Sequence, residues 1–268
     1  MTSSNIYATA FYLTTFAILL PIQLSIGLQR KTYTFLASIL LGLGFEILSY
    51  VARILVYSNH DYIAVYLVSI TIGPTFISAE ISLCLAEIVD FCGTDLLPVP
   101  VRMYRVASLL AHSIALGLQT IGSGVSRVHY METAAKILQT GSTVHLIAMT
   151  VSITLASVFA RNAYTRPSKH QTSFNSLRRS HTFTAFIIGL IMSTVAILIR
   201  TLYRTVKPTS GIDGSDETAC LVLDGAMVLV ACLALTMLHP GVALRRHRQP
   251  SKGPSAAKHG AKPLDDEY

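Results

Sequence analysis

Apolar residues along the chain form seven long runs, which are separated by shorter segments rich in polar residues. A helix needs about 20 apolar residues to cross the roughly 30 Å hydrocarbon core of a bilayer, and each run is long enough. The runs are continuous and lack the alternation of apolar and polar residues that marks the strands of a membrane barrel. The pattern predicts an all-α, polytopic integral membrane protein with seven transmembrane helices at about residues 7–28, 33–56, 62–89, 106–125, 134–160, 182–203 and 219–238.

Composition supports this fold class and removes several others. Hydrophobic residues make up 51% of the chain and charged residues only 13%, against about 25% charged residues in soluble proteins. A soluble globule, a coiled coil or a disordered chain is therefore excluded as the main architecture. The net charge of +7 does not indicate a nucleic-acid partner, because the basic residues lie between and after the apolar runs.

The distribution of basic residues predicts the direction in which the chain crosses the membrane. With the N-terminus outside and the C-terminus in the cytoplasm, 15 of the 21 Lys and Arg residues lie on the cytoplasmic side. The positive-inside rule favours that orientation. Residues 1–244 are then one seven-helix transmembrane domain. Residues 245–268, rich in Lys, Ser, Pro, Gly and Ala, are predicted to be a disordered cytoplasmic tail.

Ionisable residues inside the apolar runs indicate a functional interior, since a charge in the bilayer costs several kcal/mol unless it is paired or hydrated. Glu46 and Arg53 are seven residues apart in the second run, so they share one helical face with Tyr50 between them. The topology predicts a cluster of three cations and two anions in the outer third of the membrane, with Glu46 below it. Its members are Arg53, Arg200, Arg204, Glu217 and Asp224.

Two interpretations of these charges remain open. They are salt bridges that only hold the helices together, or they line a polar interior cavity. A purely structural bundle can use small residues and hydroxyl groups instead, so the set as a whole favours the cavity. Glu80 and His112 lie toward the inner half, and Pro74 in the third run is expected to free a backbone carbonyl and kink the helix.

No cofactor or metal site is predicted. The four cysteines show no CxxC spacing, so neither a zinc site nor a disulfide framework is indicated. A site built from His112, His145 and His239 with Asp224 would suit an intramembrane hydrolase, but no histidine pair has the spacing that places two ligands on one helical face. His239 and Asp224 also lie at opposite ends of their helix, about 22 Å apart.

A set of spaced motifs between about residues 42 and 241 resembles the fungal RTA-like family of lipid-translocating exporters. The motifs are Glu46-x-x-x-Tyr50-x-x-Arg53, Pro74-x-x-x-x-Ala79, Gln119-x-x-Gly122-x-Gly124, Arg200-x-x-Tyr203-Arg204, Gly211 with Gly214, Glu217 with Asp224, and His239-Pro240-Gly241. Three positions depart from the family pattern, namely His112, Lys207 and Leu221. The resemblance implies a seven-span protein of a plasma or internal membrane, with export or flipping of sphingoid bases and resistance to toxic amphiphiles as its activities.

The leading hypothesis is a non-enzymatic carrier or flippase for amphiphilic lipids or lipophilic toxins, in which Glu217 and Asp224 attract a cationic amine and Glu46 passes it inward. The chain has no Walker A loop, so its own ATP hydrolysis would not power the movement. A seven-span receptor or sensor for a lipophilic ligand and a metal-dependent lipid hydrolase are the alternatives. The candidate substrate pathway comprises Glu46, Tyr50, Arg53, Glu80, Gln119, Arg200, Tyr203, Arg204, Glu217 and Asp224.

Overall fold

Seven helices long and apolar enough to cross a membrane occur in the computed structural model, which describes residues 3–30, 32–56, 62–125, 131–165, 181–208 and 217–238. Six of them are continuous: α1 Ser3–Arg30, α2 Tyr33–Val56, α3 Ile63–Cys92, α4 Val101–Val125, α5 Met131–Thr165 and α6 His181–Val206. The seventh, α7, consists of Glu217–Cys220, Leu221–Ala226 and Met227–Met237 in succession. The predicted all-α, seven-span fold is confirmed.

Several helices extend beyond the apolar runs that predicted them. Helix α4 begins at Val101 rather than near residue 106, and α5 ends at Thr165 rather than near residue 160. Hydrophobicity marks only the part of a helix that lies in hydrocarbon, whereas backbone hydrogen bonding continues into the polar boundary on either side. The predicted tail, residues 245–268, lies outside the described residues.

Helix α3 is the central element of the bundle. It packs against α2, α4, α5 and α6, while α7 packs against α6 and α1. In the most apolar window of each helix, 78% of the residues of α3 are buried but only 22% of those of α1. A polar side chain on α3 can therefore reach most of the other helices without meeting lipid.

Glycines let α2 and α3 approach closely at the middle of the bundle. A Cβ placed on Gly42 would lie 2.9 Å from Cγ1 of Ile77, and one on Gly73 would lie 3.0 Å from the Gly42 carbonyl oxygen. Helix interfaces in membranes commonly use small residues in this way. The close approach brings the backbone of α3 beside the side chains of α2 that carry charge.

The segment Leu221–Ala226 of α7 is a π-helix within an otherwise α-helical span. A π-helical turn accommodates more residues than an α-helical turn, so it rotates the side chains that follow it, and such turns often occur at functional sites. Asp224 and Gly225 are both in this segment and both are buried. The π-helix thus sets the direction in which the acidic side chain of α7 points.

The orientation in the membrane stays a prediction that reporter fusions can test. We expect a reporter fused before Met1 to be accessible from outside the cell and a reporter fused after Tyr268 to be accessible only after permeabilisation, because most Lys and Arg then lie inside. Protease protection of the two fusions measures this. Both reporters on one side of the membrane would contradict the predicted topology.

Candidate functional site

Asp224 lies at the centre of a buried network of charged groups that joins α6 to α7. Arg204 donates hydrogen bonds from Nε to Oδ1 at 3.0 Å and pairs through Nη2 with Oδ2 at 2.6 Å. Arg200 Nε lies 3.3 Å from Oδ1, and the Cys220 thiol donates to Oδ2 at 3.3 Å. The side chains of Asp224 and both arginines are at most 2% exposed. Both carboxylate oxygens are therefore engaged by protein groups.

Arg200 also binds the backbone of α3 at its proline. Pro74 has no N–H group, so the carbonyl of Ile70, four residues earlier, loses its helical hydrogen-bond donor. The Arg200 guanidinium donates to that carbonyl oxygen through Nη2. The freed carbonyl expected from the sequence is thus satisfied by a side chain of α6, and one guanidinium links the interruption of α3 to the π-helix of α7.

Arg53 connects α2 to the same network. Its Nη1 lies 3.3 Å from the Tyr66 hydroxyl and 3.8 Å from the Cys220 sulfur, and its guanidinium carbon lies 5.9 Å from the centre of the Tyr66 ring. Arg204 contacts the same sulfur at 3.9 Å. Cys220 therefore lies between two guanidinium groups and the Asp224 carboxylate. Neither Tyr66 nor Cys220 was predicted as a site residue, since a tyrosine and a cysteine in apolar runs give no distinctive spacing.

Glu46 is the second acid of the network and differs from Asp224 in its contacts. Its side chain is 1% exposed, and Oε1 has no hydrogen-bond partner among the described residues. It interacts electrostatically with Arg200, Asp224 and Arg204, and Oε1 lies 3.0 Å from the position of a Cβ on Gly73. A buried acceptor without a partner costs free energy. We call Arg53, Arg200, Arg204, Asp224 and Glu46 the charged cluster.

Tyr50 packs between the charged cluster and α1. Its ring stacks on Tyr12 and Phe16, with ring centres 5.5 and 5.8 Å apart, and only 2% of the residue is exposed. Its hydroxyl group lies against Gly225 in the π-helix of α7. The face of α2 that was predicted from the spacing of Glu46, Tyr50 and Arg53 is therefore buried along its whole length.

Gly225→Ala is expected to destabilise the protein by about 1–3 kcal/mol, because the added Cβ would overlap the Tyr50 hydroxyl and overpack the site. The same Cβ would lie 3.0 Å from Cε2 of Tyr12. The matched control is Gly44→Ala, since a Cβ there meets nothing within 4 Å. All four cysteines are buried and free, so a thiol-reactive dye reports unfolding on heating in detergent.

Adding Tyr50→Phe to Gly225→Ala should recover part of the lost stability, since it removes the overlapping oxygen. Equal melting temperatures for the Gly225→Ala and Gly44→Ala proteins would show that the contact between α2 and the π-helix is loose.

A second polar region lies where α3 packs against α4 and α5. Thr75 donates to Oε1 of Gln119 at 3.1 Å, and Ser78 Oγ lies 2.6 Å from Nε2 of His145. The His145 ring meets the ring of His112 edge-on, 5.4 Å between centres. All five side chains are buried. The sequence placed Gln119 and His112 inside the fourth span but did not show that His145 of α5 contacts His112.

The remaining predicted site residues lie in different places. Glu80 is 4% exposed, accepts a hydrogen bond from Ser38, and is about 15 Å along α3 from Ile70 by helical rise. Tyr203 is half-buried on α6. Glu217 is the first residue of α7, and its side chain lies outside the described part of the chain. Arg53, Arg200, Arg204 and Asp224 thus come together as predicted, while the position of the cluster in the outer third of the membrane stays a prediction.

Contacts of Asp224 change the hypothesis about which acid meets a cationic head group. The sequence assigned that role to Glu217 and Asp224, but Asp224 already binds two guanidinium groups and a thiol. Within the described residues, no three His, Cys, Asp or Glu side chains are arranged to hold a metal ion. The acid with an oxygen left to bind a ligand in the charged cluster is Glu46.

Comparisons with known proteins support the family that the motifs indicate. Two curated relatives are the sphingoid long-chain base transporter RSB1 of Saccharomyces cerevisiae strains Lalvin EC1118 and YJM789, each 24% identical over 267 residues, covering 85% of this chain and 69% of theirs. No solved structure matches the chain. The family described as RTA1 like protein matches residues 39–247, which include α3 to α7 and most of α2. The chain therefore belongs to the RTA1-like family, as its motifs predicted.

Proposed function

We propose that this protein is a non-enzymatic transporter that moves a single-chain amphiphile with an amine-bearing head group between the two leaflets of a membrane. The observation that carries the proposal is the buried Glu46 carboxyl group, whose Oε1 has no hydrogen-bond partner among the described residues. Buried polar groups in proteins are normally hydrogen-bonded. A ligand that brings an ammonium or hydroxyl donor to Glu46 would supply the missing interaction.

The arginines and Asp224 serve a different purpose in this proposal. Arg200 and Arg204 both bind Asp224, and Arg200 also binds the α3 backbone, so these three residues link α3, α6 and α7. Polar groups held in place in this way fix the geometry of a neighbouring binding site, so the site does not have to rearrange when a ligand binds. Glu46 lies beside them on α2, and its Oε1 can accept a hydrogen bond from the head group.

The names of the curated relatives support the substrate class. They are described as sphingoid long-chain base transporters, and a sphingoid base has one hydrocarbon chain and a head group with an amine and hydroxyl groups. Such a molecule needs only a short polar path across the bilayer, because its chain can stay in an apolar environment throughout. Nucleic acid plays no part in the proposal.

Purified protein reconstituted into phosphatidylcholine vesicles tests the proposal. A fluorescent long-chain base placed in the inner leaflet should become accessible to a quencher outside several-fold faster than in vesicles without protein. Tight binding in equal molar amounts without faster exposure would contradict transport and favour a receptor for a lipophilic ligand. Metal analysis of the same preparation tests the hydrolase alternative.

A further inference from the structure

A long apolar cavity lies between α3, α5 and α6, beside the charged cluster. Its volume is about 590 Å³, and residues such as Ile81, Phe159, Phe183 and Leu190 line it. Ser82 and Ser152 also line it, but their hydroxyl groups lie 3.2 Å from each other and bond to backbone carbonyls. Because these hydroxyls are already satisfied, the wall favours hydrocarbon over water.

The cavity is longer than one leaflet of a bilayer. Along α6 it extends from Phe183 to Leu198, about 22 Å at 1.5 Å per residue. Half of the roughly 30 Å hydrocarbon core is about 15 Å. A ligand that fills this cavity therefore crosses the midplane of the bilayer. A site confined to one leaflet would be shorter.

One end of the cavity adjoins the charged cluster. Met149 lines the cavity, and its sulfur accepts a hydrogen bond from the Thr201 hydroxyl at 3.9 Å. Thr201 follows Arg200 in α6, and Leu198, which also lines the cavity, precedes Arg200 by two residues. The Leu198 end of the cavity therefore lies within one helical turn of Arg200, the residue of α6 that belongs to the charged cluster.

We infer that the cavity between α3, α5 and α6 binds the hydrocarbon chain of a single-chain amphiphile whose head group lies toward the charged cluster. This inference rests on the proposed function and adds a binding site for the chain. The volume of about 590 Å³ falls in the range of about 300–1,000 Å³ typical of ligand pockets, so the cavity can hold one hydrocarbon chain. The apolar walls match the hydrocarbon chain of such a ligand.

Filling the cavity tests the inference through transport. Ala156 of α5 lines the cavity, and Ala156→Phe would occupy part of it. In phosphatidylcholine vesicles the transport rate of a fluorescent long-chain base should fall roughly tenfold, because the Phe ring excludes several methylene groups of the ligand from the cavity. Val151→Phe is the control, since Val151 is 51% exposed on the same helix. It should stay within about twofold of the wild type. Equal rates for Ala156→Phe and the wild type would overturn the inference.

Photo-crosslinking of the wild-type protein tests the same inference without a variant that has to fold. A long-chain base with a diazirine near the end of its chain should label Ile187 and Leu190, which line the cavity and are half-buried and buried, more than Ile188 and Met192, which are exposed beside them. Excess unlabelled long-chain base should remove the cavity labels, although phosphatidylcholine surrounds the protein. Labels spread equally over all four positions, or displaced only by a two-chain lipid, would overturn the inference.

The two experiments separate the inference from the proposed function. Suppose that excess unlabelled long-chain base removes the cavity labels but the wild type does not transport. That result would support the chain-binding site and reject the transporter. Transport by the wild type that is unchanged in Ala156→Phe would support the transporter and reject the chain-binding site.

Discussion

Asp224→Ala is expected to remove nearly all of the folded protein from the membrane. Asp224 holds two guanidinium groups that are at most 2% exposed, and the substitution leaves both without their counter-ion. Breaking a buried ion pair by removing one partner typically costs about 3–5 kcal/mol, a large fraction of the roughly 5–15 kcal/mol that stabilises a protein. Asp224→Asn keeps the shape and should lose less, since its amide oxygen still accepts a hydrogen bond.

The matched control for Asp224→Ala is Glu132→Ala. Glu132 pairs with Lys136 at 2.8 Å, but the two side chains are 85% and 73% exposed. Exposed pairs of this kind contribute little, so the control should accumulate and melt like the wild type. Comparable losses of abundance and melting temperature for Asp224→Ala and Glu132→Ala would contradict the structural role of the charged cluster.

Arg200→Ala is expected to have the second largest effect, and the size of the effect should depend on Pro74. In the wild type the substitution removes an ion pair and leaves the Ile70 carbonyl without a donor, so we expect a loss of about 3–5 kcal/mol. In a Pro74→Ala background the restored N–H of residue 74 can bond to that carbonyl. The cost of Arg200→Ala should then be smaller by about 1 kcal/mol, which a double-mutant cycle measures.

Pro21 of α1 provides the control for that cycle. It is also a proline inside a transmembrane helix, but the contacts of Arg200 described above lie on α3 and α7. Pro21→Ala and Arg200→Ala should therefore act additively. Additive behaviour of Pro74→Ala with Arg200→Ala, equal to that of the Pro21 control, would show that the guanidinium does not stabilise the freed carbonyl.

Much of the fold and part of the candidate site followed from the sequence. Apolar runs long enough to span predict the helices because hydrocarbon forces backbone groups to pair within each helix. The spacing of Glu46, Tyr50 and Arg53 predicted a shared face, and their burial confirms it. The orientation and the roles of the candidate pathway residues stay predictions.

The pairing within the cluster could not be predicted from spacing. Glu217 and Asp224 are seven residues apart, a spacing that would place them on one face of an α-helix, but Leu221–Ala226 is a π-helix that redirects the residues within it. The apposition of His112 and His145 and the partnership of Arg53 with Tyr66 join residues of different helices. Periodicity reports faces of one helix and carries no information about which faces of two helices meet.

The most direct test of the account compares two head groups in one transport measurement. The rates for a fluorescent long-chain base and for its N-acetylated, uncharged analogue are measured in phosphatidylcholine vesicles that contain wild-type protein, Glu46→Gln or the exposed control Glu132→Gln. We predict that the wild type and the control move the amine several-fold faster than the analogue, and that Glu46→Gln slows the amine until the two rates are similar. An unchanged preference for the amine in Glu46→Gln would contradict the assignment of Glu46 as the group that binds the head group.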